Sequence, residues 1–405
     1  MSWFLERSRV EEQTGDEAMN RVRTGAAALV CACALLVLSA CPVGAQAAED
    51  NAAAAPAAPG GVPTITEGAA SPSESLAVRG IWFWPHEGEQ GAAQSVRQME
   101  RAGINTIFLL IFSGGCTAYP SRVFPQQDEL RGQDPVAAFV GEAHARGMRV
   151  FAAMDTLYWQ RPGSNSPAVG AHPERMERNA EGEIVGDDGR PGGAFASPSN
   201  PDVASLLQQL VSELAAKYPF DGIAFDYARL ARGDYLGYST ATRAAYISAK
   251  GMDPADIDPL GYATELEQRR SFAAWLENQV SSLVEKLGAS FRRVRQEGQV
   301  AAVILPDYYQ NRLLNAARQD WLTWAQKRWV DALIVADASA DDLQQAASQR
   351  AALARGHRAR LLAAITGYPA SDRAAVAYGA GFGGTVLWPG DSLSTRRALL
   401  REFGG

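Results

Sequence analysis

The sequence predicts a single (β/α)8 barrel, and three observations carry that prediction. From residue 78 onward, eight short apolar runs alternate with longer segments of helical spacing. The runs resemble parallel strands buried on both faces. No glycine-rich turn follows the first run, where Trp84-Pro-His86-Glu stands instead, so an open doubly wound sheet with a phosphate cradle fits poorly.

Taken in order, the expected strands lie at 78–84, 106–112, 149–155, 221–227, 299–306, 330–336, 360–366 and 384–389. Between the third and fourth, Val203, Leu206, Leu207, Leu210, Val211 and Leu214 form a helical stripe. Asn200 suits its N-cap and Pro201 its first turn. A helix over 135–146 is expected to end at Gly147, and one over 340–355 at Gly356. The run from Gly379 to Gly384 precedes a strand rather than opening a helix, so it reads as a tight αβ turn. Two connections are long, 156–199 and 230–298, and both fall on the C-terminal face, where barrel enzymes keep their sites.

The fourth strand delivers a carboxylate. In the segment from Tyr218 to Arg229, Gly222, Ala224 and Asp226 share one face, while Ile223, Phe225 and Tyr227 share the other. Small residues leading to one Asp suit a barrel interior that opens into a site. Any one such Asp is more often a loop cap or an ion-pair partner. The signal is joint placement: Asp155, Asp226, Asp307 and Asp337 all end strands, together with Trp84, His86, Ser113, Arg229, Tyr368 and Trp388. Acids among aromatics suit a sugar, whose rings stack on aromatic faces while paired carboxylates do the acid–base work.

Asp226 is therefore expected as nucleophile or base, with Asp307 on the next strand as its acid. Carboxylate separations of roughly 5 Å (retaining) and 6.5–9.5 Å (inverting) both remain open, and Asp155 or Asp337 could take the place of Asp307. Arg229 is expected to keep Asp226 ionised. Trp84, His86, Asp155, Tyr158, Trp159, Arg229, Tyr308, Asp337, Tyr368 and Trp388 are the expected substrate-binding residues.

Composition narrows the alternatives. The net charge of −7 is concentrated near the N-terminus, and residues 76–405 are close to neutral, with no basic footprint for nucleic acid. The four His show no HxH or HExxH spacing, no Ser sits in a GxSxG elbow, and no cofactor or metal is expected. A hard cation held by the strand-end Asp residues, as in a metal-dependent polysaccharide deacetylase, ranks below acid–base chemistry. Trp321, Trp324 and Trp329 stand at helical spacing and are expected in the core. Cys116, the one thiol of this domain, is expected as a small loop residue rather than a nucleophile.

Residues 1–47 read as a signal region. Arg21 and Arg23 precede an apolar run from Gly25 to Ala40, too short for a comfortable membrane span of about 20 residues. Residues 1–18 are acidic, and Met19 is the more typical start. Leu38-Ser39-Ala40-Cys41 resembles a lipobox with Cys41 as the lipidated residue, and Ala45-Gln46-Ala47 offers an ordinary cleavage site; the lipobox is slightly favoured. Residues 48–75 form an Ala/Pro-rich tether, and the barrel domain fills 76–405. This predicts an exported protein of the periplasm or outer membrane, touching the membrane only through a lipid at Cys41. Oligomeric state is not legible.

A family resemblance adds to this. Val78-Arg-Gly-Ile-Trp82, Gly103-Ile-Asn105, Tyr119-Pro-Ser121 and Asp134-Pro-Val occur in order, followed by Glu142-Ala-His144, Asn200-Pro-Asp-Val, Asp221 to Arg229, and Gln319-Asp-Trp321 with Trp324. In this order they resemble the bacterial glycosyl-hydrolase-like family 10, which is distinct from the classical family 10 xylanases. The resemblance implies a TIM barrel, usually exported, with glycosidase activity on envelope glycans such as peptidoglycan strands, and a key carboxylate at Asp226. Phe112-Ser113, Asp155 with Tyr158 and Trp159, and Ala336-Asp337 depart from the family pattern. They motivate the alternative of a non-catalytic glycan-binding lipoprotein on the same barrel.

Overall fold

The structure is a computed structural model and describes residues 77–232, 236–258, 263–306, 317–336, 338–353, 359–365 and 377–388. Eight parallel strands close into a barrel: β1 (Val78–Phe83), β2 (Thr106–Ser113), β3 (Arg149–Asp155), β4 (Gly222–Asp226), β5 (Gln299–Ile304), β6 (Ala332–Val335), β7 (Arg360–Ile365) and β8 (Gly384–Leu387). Each strand pairs with its sequence neighbour, and β1 closes the ring against both β2 and β8. All eight expected strands are present.

Helices occupy the connections. α1 (Gly88–Arg101) follows β1, α2 (Pro135–His144) follows β2, and α3 (Pro201–Lys217) follows β3. α4 (Thr240–Lys250) and the 32-residue α5 (Ala263–Val294) follow β4; α6 (Trp321–Gln326) and α7 (Ala340–Ala351) follow β5 and β6. The caps are those the residues suggest. Asn200 accepts from the Asp202 backbone N–H, and Asp134 from that of Ala137. Val203, Leu207, Leu210, Val211 and Leu214 of α3 are buried against the sheet. Trp321 and Trp324 are buried in the core. α7 ends at Ala351, and Gly356 lies outside the described residues.

The barrel interior is packed by matching large residues to small ones. Phe108 of β2 and Phe151 of β3 meet at 5.1 Å between ring centroids. The room for them comes from β1 and β4. A Cβ on Gly80 would come within 2.9 Å of the Phe108 ring, and one on Gly222 within 2.3 Å of the Phe151 ring. Above them Trp82 stacks on Trp388 at 4.5 Å. The small residues of β4 therefore have a packing reason as well as a functional one.

β2 carries one irregularity that shapes the site. Its register against β3 runs Leu110 to Ala153 and then Phe112 to Met154, skipping Ile111. This bulge turns both Ile111 and Phe112 toward the helices and brings Ser113 back to the interior face.

Candidate active site

β3 and β4 end side by side, with Asp155 and Asp226 as register partners. Neighbouring strands lie about 4.8 Å apart, so the two carboxylates rise from adjacent positions at the barrel mouth. Both continue the interior face, after Ala153 on β3 and Ala224 on β4.

The two are held differently. Asp155 is 0% exposed. Its Oδ2 accepts from Ser113 Oγ at 2.6 Å and from Arg161 Nη2 at 2.9 Å. Asp226 is 6% exposed, and its Oδ1 accepts from the Tyr227 backbone N–H at 2.7 Å. Tyr227 has φ +48°, a left-handed conformation that costs a bulky residue about 1–3 kcal/mol. The strand alternation stops there, because the positive φ turns the chain that follows Tyr227.

Rings and guanidinium groups surround Tyr227. Arg161 donates to the Tyr227 hydroxyl at 3.1 Å, and its Cζ lies 5.0 Å from the Tyr227 ring centroid and 5.1 Å from that of Tyr158. Burial works against the charge of Arg161, but Tyr227 and Asp155 outweigh it and hold the guanidinium protonated. Arg229 lies 4.6 Å from the Tyr227 ring and 5.8 Å from Phe195. Tyr158 stacks on Phe195 at 4.5 Å. Such contacts hold a ring from its face as well as its edge.

Arg229 forms a two-pronged bond with Asp187, at 2.6 and 2.8 Å. Burial would raise the Asp187 carboxyl, yet Arg229 and, behind it, Arg232 hold it well below the usual carboxylate range. Burial likewise opposes the charge of Arg229, and Asp187 is the leading partner that sustains it; Tyr227 and Asp226 contribute less. The expected Arg229–Asp226 partnership is thus secondary to Arg229–Asp187, which ties the connection after β3 to the one after β4.

Other expected site residues fall in different places. Trp84 is half-buried at the end of β1. His86 is exposed, with Nδ1 3.0 Å from the Trp84 carbonyl. Trp388, 7% exposed, lies in the barrel interior against Trp82. Trp159 is a correction. It is 0% exposed, meets Phe112 and Phe124 edge-on, and donates Nε1–H to the Thr156 carbonyl. The outward turn of Phe112 builds an apolar pocket, and Trp159 fills it. Tyr158 is also buried. Its hydroxyl lies under the close approach of Gly186 and Gly193, where a Cβ on Gly193 would come within 3.0 Å of it. Asp155, Tyr158, Trp159 and Arg229 therefore offer a sugar little or no open face. Asp307, Tyr308, Asp337, Tyr368 and Cys41 lie outside the described residues.

Arg161, Asp187 and the turn at Tyr227 were not legible in the sequence. Arg161 and Asp187 sit in a connection without periodicity, and strand alternation assigns Tyr227 simply to the outer face. Cys116 belongs to a two-residue strand, Cys116–Thr117, paired with β2. Burial first, then Asp128 and Glu129, push its thiol up to about 11. Among the described residues no three His, Cys, Asp or Glu side chains gather as a metal-ligand set.

Comparison with known proteins agrees with this architecture. A family model described as glycosyl hydrolase-like 10 matches residues 77–374. The glycosyl hydrolase DigH of Escherichia coli O6:H1 is 24% identical over 229 residues, 52% of this chain and 46% of that protein. This chain thus spans about half the length of that relative. Among solved structures, α-L-fucosidase isoenzyme 2 from Paenibacillus thiaminolyticus superposes with a TM-score of 0.55 at 14% identity, covering 81% of this chain and 48% of that one. A β-galactosidase from the haloarchaeon Halorubrum lacusprofundi gives 0.54 at 12% identity, covering 76% and 52%. These two likenesses concern the barrel fold. The family match extends over most of the chain and takes in β1 through β7, and on that ground the chain belongs to the glycosyl hydrolase-like 10 family.

Proposed function

We propose that this protein is an exported glycoside hydrolase that cleaves glycosidic bonds in a bacterial envelope polysaccharide, with peptidoglycan glycan strands as the leading substrate. Asp226 is the working carboxylate, as nucleophile or base. The observation that carries this reading is the placement of Asp226 at the mouth of a barrel of this family, on the interior face, beside a second carboxylate that Ser113 and Arg161 already hold. Of the two, Asp226 is the less completely buried, 6% exposed against 0% for Asp155. Trp84 and His86, on the exposed rim of β1, supply contacts to the sugar. Asp307 remains the proposed acid, one strand further round. The signal region, Cys41 and the 48–75 tether support export to the periplasm or outer membrane, with contact to the bilayer through the lipid only.

The test is incubation with purified glycan strands, with and without stem peptides, read by mass spectrometry for new reducing ends. Their release, and its loss in Asp226→Asn, supports the assignment. One observation favours the glycan-binding alternative: Asp155 is fully buried and its Oδ2 is bonded by both Ser113 and Arg161. Strands that bind without any new reducing end would support that reading instead.

A further inference from the structure

We infer that Arg161 is a positioning residue for Asp226, acting through Asp155 on one side and Tyr227 on the other. The inference rests on the reading of Asp226 as the working carboxylate. Arg161 stands just past the short hairpin strand Tyr158–Gln160, in the connection after β3. Its guanidinium spans two neighbours of Asp226. Nη2 donates to Asp155, the register partner of Asp226, and Nη1 donates to the hydroxyl of Tyr227, the residue that follows Asp226.

Each link has a consequence for Asp226. Two carboxylates on adjacent strands repel, and such repulsion disfavours the charged form of one of them. The cation of Arg161 is ion-paired to Asp155 at 2.9 Å and offsets that repulsion where water is excluded. The second link concerns geometry. The backbone N–H of Tyr227 donates to Asp226 Oδ1, and the same residue holds φ +48°. A bulky residue keeps such a conformation when its surroundings over-determine it, and Arg161, on the hydroxyl and over the ring, is one of the groups that do so.

Among the described residues, other charged and titratable groups border this corner. From the connection after β3 come Tyr158 and Asp187; from the one after β4 come Arg229 and Arg232, both paired with Asp187. From the segment before α6, Arg318 and Asp320 flank Gln319, whose Nε2 donates to the Ala228 carbonyl. Asp307 of the following strand lies outside the described residues. Arg161 bonds both Asp155 and Tyr227.

The test reads the titration of Asp226 directly, by carbon-13 NMR of the full chain labelled at aspartate Cγ. The Asp226 resonance is assigned by its loss in Asp226→Asn. In Arg161→Gln the midpoint of Asp226 is expected to rise by about 1 pH unit, because the Asp155 charge is no longer offset. In Asp155→Asn it is expected to fall, because the guanidinium is left facing Asp226. Arg161→Lys, which keeps the charge, should restore the wild-type midpoint. A midpoint unmoved in a folded Arg161→Gln protein, or unmoved in Asp155→Asn if Arg161→Gln does not fold, overturns the inference. Where hydrolysis is seen, the acidic limb of kcat/KM should move with the midpoint. A wild-type protein that releases no reducing ends would defeat the proposed function, while the titration would still decide the role of Arg161.

Discussion

Asp155 and Asp226 are register partners on adjacent parallel strands, both buried, and different groups hold them. Ser113 and Arg161 both bond Oδ2 of Asp155, and the Ser113 contact exists because a bulge in β2 rephases that strand. This asymmetry makes the first prediction. Asp226→Asn should lower glycan cleavage at least about 10²-fold, the usual scale for a lost acid–base group. Release of reducing ends at matched protein concentration measures it, and near-normal turnover would remove Asp226 from the mechanism.

The Asp187–Arg229 pair should behave as a clasp between a buried guanidinium and a half-buried carboxylate. Arg229→Met should destabilise the protein by about 1–3 kcal/mol, since it removes the two-pronged partner of the half-buried Asp187 carboxylate. A double-mutant cycle with Asp187→Asn should give a coupling of about 1–3 kcal/mol by urea unfolding. The pH dependence has a definite sign. Asp187 is held below its unfolded value of about 3.9, so the folded state binds fewer protons and stability rises with pH. The gap between wild type and Asp187→Asn should be full near pH 6 and shrink as the pH falls below about 4. A gap that widens in acid would contradict the pairing.

Trp159 and His86 should separate core from rim. Trp159→Ala should cost about 3–5 kcal/mol of stability, because it leaves a cavity between Phe112 and Phe124. His86→Ala, at an exposed rim position, should change stability by less than about 0.5 kcal/mol. Thermal unfolding of the two variants compares them, and similar losses in both would refute the assignment of Trp159 to the core.

Gly222→Ala should be poorly tolerated despite its modest size. The added Cβ would meet the Phe151 ring at 2.3 Å and the Gln299 carbonyl at 2.6 Å, and the carbonyl is backbone that cannot swing away. Overpacking of this kind costs about 1–3 kcal/mol. A shift in the urea midpoint measures it, and a Phe151→Leu background should relieve part of the loss.

Cys116 should be a poor nucleophile. Burial and the nearby acids Asp128 and Glu129 raise its thiol to about 11, so it stays protonated at neutral pH. Alkylation by iodoacetamide at pH 7.5 should be far slower than for a free cysteine, and Cys116→Ser should leave any hydrolase activity intact. Rapid labelling of the folded protein would show that the thiol is open.

The barrel itself was legible along the chain. Eight buried apolar runs and the helical stripe of Val203, Leu207, Leu210, Val211 and Leu214 are local patterns, and local periodicity reports which face of an element is buried. The cap at Asn200 is equally local, because it joins a side chain to a backbone group two residues away. The interior placement of Asp226 followed from the same alternation along β4.

What surrounds Asp226 was decided by tertiary structure. The Ser113–Asp155 bond spans 42 residues and depends on a bulge that no residue pattern announces. Arg161 and Asp187 lie in a connection without periodicity, and they matter because the fold brings that connection against the one after β4. Trp159 looked like a sugar platform because aromatic residues after a barrel strand often face the cleft; the rephased β2 made it core. The sequence by itself determined the barrel and the carboxylate on its fourth strand, since both are written in short-range alternation. Which groups hold that carboxylate and its neighbour was decided only when distant loops packed together, because ion pairs and close ring contacts depend on separations in space that spacing along the chain does not encode.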